Sequence, residues 1–242
     1  MERDEKVKPF TKVIVKNLWW IIWYLPRFKY MYRHPEKYTE QQFYALAMQC
    51  VNWAMKSSTG YPKAYGLENL PEGGCLLCSN HQDKLDPLAI WLTYPGSCDV
   101  VIADKVMHYP LVPIVIRSLG AIVMQKNSLK AMYQMSVRVQ ERLEQDHSVM
   151  LFPEGDYEEN VHQLSPFMAG GFRAPLRAKK PIVPVVLIDS SRALERNRRE
   201  KMEIQVHYLK PVMPEEYEGM STSEISDLVA QRIQAVIDEL QQ

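Results

Sequence analysis

A histidine and an aspartate five positions apart, His81 and Asp86, sit between two apolar runs of the chain. The first run, Gly74-Cys75-Leu76-Leu77-Cys78, is short, lies between turn signals and predicts a buried strand. The second, Leu88-Ala89-Ile90-Trp91-Leu92, predicts a buried helix, with Pro87 in its first turn, where a missing N–H is no loss. His81 is therefore expected where a strand has ended and a helix is about to begin, the place where α/β sheets bind ligands. A neutral imidazole there can take a proton from a hydroxyl if a carboxylate holds its other nitrogen and stabilises the imidazolium that forms. Asp86 is the nearest candidate for that carboxylate and Asp83 the second. The same pattern also suits a polar helix entrance around a hydrogen-bonded structural histidine. A second apolar strand, Val149-Met150-Leu151-Phe152, is stopped by Pro153 and followed by Glu154 and Gly155 at a turn, so two strand-end loops with polar residues are available to converge on one site.

The elements that must position these loops follow from hydrophobic period and breakers. Strands are expected over Asp99–Ala103, Gly120–Met124, Ile182–Ile188 and Glu203–Leu209. Ser128 is expected to open a helix ending near Asp146. Ser165-Pro166 begins a helical stretch toward Lys180, interrupted at Gly170-Gly171, and Ser221-Thr222-Ser223-Glu224 caps a last amphipathic helix reaching Leu240. Strands alternating with helices make this an α/β domain with a mostly parallel central sheet flanked by helices. Tyr61 to Gly74, rich in Pro and Gly, reads as a loop that marks the boundary between an N-terminal segment, 1–58, and a main domain, 59–242.

The N-terminal segment has its own character. Formal net charge over the 242 residues is zero, which disfavours nucleic acid as a partner. The first 37 residues nevertheless carry nine Lys/Arg against four Asp/Glu. Within them, Leu18-Trp19-Trp20-Ile21-Ile22-Trp23-Tyr24-Leu25 is too short to span a bilayer, and no small-residue cleavage site follows it. Its three Trp, its Tyr and the flanking Lys16, Arg27 and Lys29 suit a headgroup boundary, and packing as a core helix is the alternative. Thr39-Glu40-Gln41-Gln42 is a capping box for a second helix with Phe43, Leu46, Ala47, Cys50, Val51 and Ala54 on one stripe. The pair predicts an amphipathic two-helix appendage that docks on a membrane surface. The four cysteines form no disulfide framework. Cys75 and Cys78, three apart on a strand, point to opposite faces, and no second cysteine pair or paired histidine completes a zinc site, so no metal is expected. Glycine-rich nucleotide fingerprints and a Gly-x-Ser-x-Gly nucleophile are missing from the sequence.

Four blocks in order resemble the glycerolipid acyltransferase family: Asn80-His81-x4-Asp86, Gly120-Ala121-Ile122-Val123-Met124-Gln125-Lys126, Phe152-Pro153-Glu154-Gly155 and Pro181-Ile182-Val183-Pro184. The resemblance implies transfer of a fatty acyl group from a thioester, carried by coenzyme A or acyl carrier protein, to a lysophospholipid hydroxyl at the cytoplasmic face of a membrane. The acceptor it implies first is 1-acylglycerol-3-phosphate. His81 would be the base and Asp86 would hold its tautomer; Lys126 would face the acceptor's phosphate, and Glu154 and Gly155 would shape the glycerol site. No cofactor beyond the acyl donor is implied. Three positions depart from the family pattern: Asp83 where Ser is common, Lys126 where Arg is common, and Asp156-Tyr157 where Thr-Arg is common. These changes subtract positive and add negative charge, so an acceptor with a neutral or zwitterionic head is the second expectation. A non-catalytic membrane-binding protein is the third. Arg173, Arg177 and the Arg192–Lys201 cluster are alternative sources of a phosphate-binding cation; a solvated loop is the plain reading of that cluster.

Overall fold

The computed structural model describes residues 18–109, 112–125, 128–155, 163–194 and 200–240. A seven-stranded sheet runs in the order β1-β7-β6-β2-β5-β3-β4. Its strands are β1 (Gly60–Tyr65), β2 (Leu76–Ser79), β3 (Cys98–Ala103), β4 (Ala121–Met124), β5 (Ser148–Leu151), β6 (Ile182–Ile188) and β7 (Met202–Tyr208). Neighbours are parallel except β6 and β7, so the mostly parallel sheet read from the sequence is the sheet that forms. The helices are α1 (Leu18–Arg33), α2 (Glu40–Lys56), α3 (Asp86–Thr93), α4 (Val112–Ser118), α5 (Leu129–Glu144), α6 (Arg173–Ala178) and α7 (Thr222–Leu240).

The central strands β2, β5 and β6 are buried along their whole length, which is why they read as continuous apolar runs instead of alternating ones. Their side chains still divide by the two-residue period. Cys75, Leu77, Val183, Val185 and Leu187 join one core layer with Phe28 and Met31 of α1, Leu46, Ala47, Val51 and Met55 of α2, and Ala89 and Ile90 of α3. Leu76, Cys78, Ile182, Val186 and Ile188 join the opposite layer with Met135, Val139 and Leu143 of α5 and Ile225, Val229, Ile233 and Ile237 of α7. Cys75 and Cys78 thus do fall on opposite faces, each as a buried free thiol.

Local chemistry sets the helix starts. Thr39 and Gln42 form the capping box at α2, with Thr39 N–H to Gln42 Oε1 at 2.9 Å and Gln42 N–H to Thr39 Oγ1 at 3.3 Å. Ser128 Oγ accepts from Ala131 N–H at 3.2 Å to open α5. The expected helical stretch from Ser165 shortens to a 3₁₀ turn and the six-residue α6. The Tyr61–Gly74 segment is not all loop: β1 pairs in parallel with β7, Gly60 opposite Met202 through Tyr65 opposite His207. Gly60 and Pro62 read as breakers, but β1 is an edge strand, and proline is tolerated where one ladder is missing.

Packing runs across the expected boundary near residue 58. The α2 stripe is inserted in the main core, with Leu46, Ala47, Val51 and Met55 all buried, and each fully buried apolar side chain stabilises by about 1.5–3 kcal/mol. The helix α1 is two-sided. Trp20, Tyr24, Phe28 and Met31 lie at helical spacing on the inner side, where Trp20 stacks on Trp53 of α2 at 4.2 Å between ring centroids. Trp19, Ile22 and Trp23 point outward and are 66%, 57% and 68% exposed. No helix among the described residues is long and apolar enough to cross a membrane.

Candidate active site

The C-terminal ends of three adjacent parallel strands, β5, β2 and β6, deliver one group each to a common point. The chain leaves β2 at Ser79 and reaches His81, whose Nδ1 lies 2.6 Å from Asp86 Oδ2. Asp86 is the first residue of α3 and is wholly removed from solvent. A helix N-terminus favours a carboxylate, and this one is held further: Oδ2 accepts the Gln82 N–H at 2.5 Å and the Asp83 N–H at 2.9 Å. Ser190, in the turn after β6, donates its hydroxyl to Oδ1 of Asp86. A carboxylate with these donors acts on His81 as an acceptor, which assigns the ring proton to Nδ1 and leaves the base role to Nε2.

The loop after β5 supplies the third group. Phe152 to Gly155 closes a turn by the Gly155 N–H to Phe152 C=O bond at 3.0 Å, and Gly155 takes a φ of 73°, which glycine adopts without strain. Within the turn, Glu154 Oε1 accepts the His81 backbone N–H at 2.7 Å, and its Oε2 accepts the Ser165 N–H at 2.8 Å. Glu154 therefore ties the loop after β2 to the loop after β5 and to the 163–168 segment. Burial raises its carboxyl above the usual range, against the pull of those two backbone bonds. The Phe152 ring packs against the imidazole at 4.5 Å. Asn80 faces the other way. Its side-chain amide donates to Leu187 C=O at 3.0 Å and accepts Leu187 N–H at 2.8 Å, completing the β6 ladder where β2 has ended.

His81 lines a cavity of about 330 Å³ whose walls are mainly apolar, among them Leu88, Trp91, Val101, Ile116 and Met124. Tyr109 and Val112 also line it. Lys84, Lys105 and Gly155 complete the lining. Asp83 sits in the same loop as His81, and burial, with the nearby Asp86 charge, raises its carboxyl to about 7.

Of the residues expected at the site, His81, Asp86, Glu154 and Gly155 converge; Lys126 lies outside the described residues, as do Asp156, Tyr157 and 195–199 of the basic cluster. Sequence reasoning missed Ser190, Lys84 and Lys105. Lys105 follows β3 by two residues and Ser190 follows β6 by two, so attention to every parallel strand end would have flagged both. Among the described residues, no group of three or more His, Cys, Asp or Glu is placed to hold a metal ion.

The family described as Acyltransferase matches residues 62–188. The chain is 28% identical over 173 residues to human 1-acyl-sn-glycerol-3-phosphate acyltransferase alpha, covering 70% of this chain and 61% of that protein. It therefore spans about three fifths of that relative's length. It is 26% identical over 180 residues to the 1-acyl-sn-glycerol-3-phosphate acyltransferase of Borreliella burgdorferi, covering 71% of each. The fold superposes on the crystal structure of the 1-acyl-sn-glycerophosphate (LPA) acyltransferase PlsC from Thermotoga maritima with a TM-score of 0.75 at 17% identity, over 100% of this chain and 98% of that one.

Proposed function

Since the chain belongs to the Acyltransferase family, we propose that it moves a fatty acyl group from a thioester to the free hydroxyl of a lysophospholipid, with 1-acylglycerol-3-phosphate as the preferred acceptor. The observation that carries this reading is the His81–Asp86 pair at 2.6 Å, placed at a strand end and opening onto an apolar cavity. Nε2 of His81 takes the acceptor's hydroxyl proton as its oxygen attacks the thioester carbonyl, a contribution of roughly 10²–10⁴-fold. The tetrahedral intermediate then expels the thiolate, which recovers that proton from the imidazolium. The acceptor alcohol attacks directly, so no enzyme nucleophile is consumed. Asp86 stabilises the imidazolium between the two transfers.

The apolar wall formed by Leu88, Trp91, Val101, Ile116 and Met124 suits an acyl chain. Lys84 and Lys105 bring positive charge to the same cavity and support an anionic acceptor. Gly155 borders the same space, while Glu154 positions His81 through its backbone. The second reading, an acceptor with a neutral or zwitterionic head, draws support from Asp83, whose charge above pH 7 opposes a phosphate nearby. The exposed Trp19, Ile22 and Trp23 support work at a membrane surface as a peripheral protein.

The test is to offer purified protein a panel of lysolipids with acyl-coenzyme A and acyl carrier protein donors. Transfer to 1-acylglycerol-3-phosphate, lost in His81→Ala, is expected. Near wild-type transfer by a folded His81→Ala protein would overturn the mechanism, and preference for a zwitterionic lysolipid would favour the second reading. Lys105→Ala should raise the KM for the phosphate-bearing acceptor more than the KM for the donor.

A further inference from the structure

Between α1 and α4 lies an open cleft of about 560 Å³ that shares no lining residue with the His81 cavity. Lys29 and Arg33 line it from the last turns of α1, and Arg117 lines it from the end of α4. Leu25, Pro113 and Ile114 supply apolar lining, and among the described residues no acidic side chain lines the cleft. Among the described residues, no carboxylate pairs with any of the three cations. Three like charges around one small space repel one another, an arrangement that costs stability unless an anion enters. The cleft is also held in shape. Tyr32 of α1 donates its hydroxyl toward Ile114 C=O at 3.2 Å and is 2.8 Å from Ser118 Oγ, fastening α1 to α4 beside the cations.

The position of the cleft on α1 says which anion. Trp19, Ile22 and Trp23 project outward from the first turns of the same helix. At about 1.5 Å per residue, Arg33 lies roughly 15 Å along the axis from Trp23. A tilted helix that buries its aromatic end at the boundary of acyl chains and headgroups brings its cationic end to the level of the phosphates. We infer that Lys29, Arg33 and Arg117 form a binding site for the phosphate headgroup of an anionic phospholipid, separate from the acyl-transfer site. This rests on the reading that α1 meets the membrane. The aromatic face supplies attachment to any bilayer, and the cleft adds selectivity for anionic lipid and fixes the orientation of α1. Each basic side chain near an anionic surface is worth about fivefold in binding, so three amount to about a hundredfold.

The experiment is sedimentation of the full chain with phosphatidylcholine vesicles, with and without about one fifth phosphatidylglycerol, a fraction that gives the anionic surface such cations require. Wild type is expected to bind the anionic vesicles about a hundredfold more tightly. Lys29→Gln/Arg33→Gln/Arg117→Gln should lose most of that increment while keeping its affinity for neutral vesicles. A matched control, Lys130→Gln/Arg138→Gln/Lys210→Gln, removes equal charge from other exposed positions and should keep the increment. Equal loss in both variants would overturn the site in favour of diffuse attraction. An unchanged anionic increment in the cleft variant would also overturn it, and if that variant instead lost only turnover with acyl carrier protein, the cleft would be a dock for that acidic protein. Competition by millimolar inorganic phosphate with no effect of vesicle composition would assign a free anion instead. Binding to neutral vesicles, lost in Trp19→Ser/Trp23→Ser, reports on α1 docking separately, and none of these readouts depends on acyl transfer.

Discussion

Oδ2 of Asp86 stands 2.6 Å from Nδ1 of His81 and simultaneously accepts the backbone N–H groups of Gln82 and Asp83. Three N–H donors on one oxygen constrain what can replace it. In Asp86→Asn the amide oxygen must take that place, because its NH2 group would face three donors, and the hydroxyl of Ser190 can turn to accept from the NH2. The imidazole tautomer is then kept and only the negative charge is lost. A charge-assisted bond is worth about 1.5–3 kcal/mol, so kcat should fall roughly ten- to a hundredfold instead of by the larger factor of a wrong tautomer. Steady-state kinetics checks it; a kcat within a few-fold of wild type would show that the charge of Asp86 contributes little to the reaction.

Ser190→Ala acts on the other carboxylate oxygen and should cost stability. The hydroxyl donates to Asp86 Oδ1 in a fully buried setting. One buried acceptor left without a partner costs roughly 1–3 kcal/mol of stability. Denaturant midpoints measure the loss, and a midpoint equal to that of wild type would show that the hydroxyl contributes nothing to holding Asp86.

Asn80→Ala should damage the fold before the chemistry. The side-chain amide satisfies both the N–H and the C=O of Leu187, so its removal orphans two buried backbone groups. The expected loss is about 2–4 kcal/mol, with kcat per folded molecule within a few-fold of wild type. Urea unfolding and single-turnover rates make the comparison, and a large fall in kcat at unchanged stability would place Asn80 in the reaction instead.

The contrast between Asn80 and Ser190 shows what the chain made legible. Strands β2, β5 and β6 were readable because full burial leaves uninterrupted apolar runs, and His81 with Asp86 was readable because both sit in one loop. Ser190 approaches Asp86 from 104 residues away, and no local period encodes that meeting. Strand β1 was hidden by Pro62, a residue that breaks interior strands but not an edge. In α1, apolar residues occupy both sides of the first turns, so a choice between core and membrane could not be read from the run. The structure divides it, with Phe28 and Met31 in the core and Trp19, Ile22 and Trp23 outside.

Asp83 gives the last prediction, a dependence of stability on pH. Burial, reinforced by the Asp86 charge, raises its carboxyl from the usual 3.8 to about 7. For an acid with a raised native value, the folded state binds more protons than the unfolded state between about pH 4 and 7, so stability falls as pH rises through that window. The full shift corresponds to about 4 kcal/mol at 1.36 kcal/mol per unit, and relaxation around the ionised group lowers the expected penalty to about 2 kcal/mol. Asp83→Asn retains an acceptor for the Lys84 N–H that Asp83 Oδ1 holds at 2.5 Å, and it removes the charge. The melting temperature of the variant should match wild type near pH 4 and exceed it progressively up to pH 8. In the same range the variant should show a lower KM for a phosphate-bearing acceptor, because one negative charge beside His81 is gone. A melting difference that stays flat from pH 4 to 8 would mean that Asp83 does not titrate near neutrality, and the charge argument for a zwitterionic acceptor would lose its pH dependence with it.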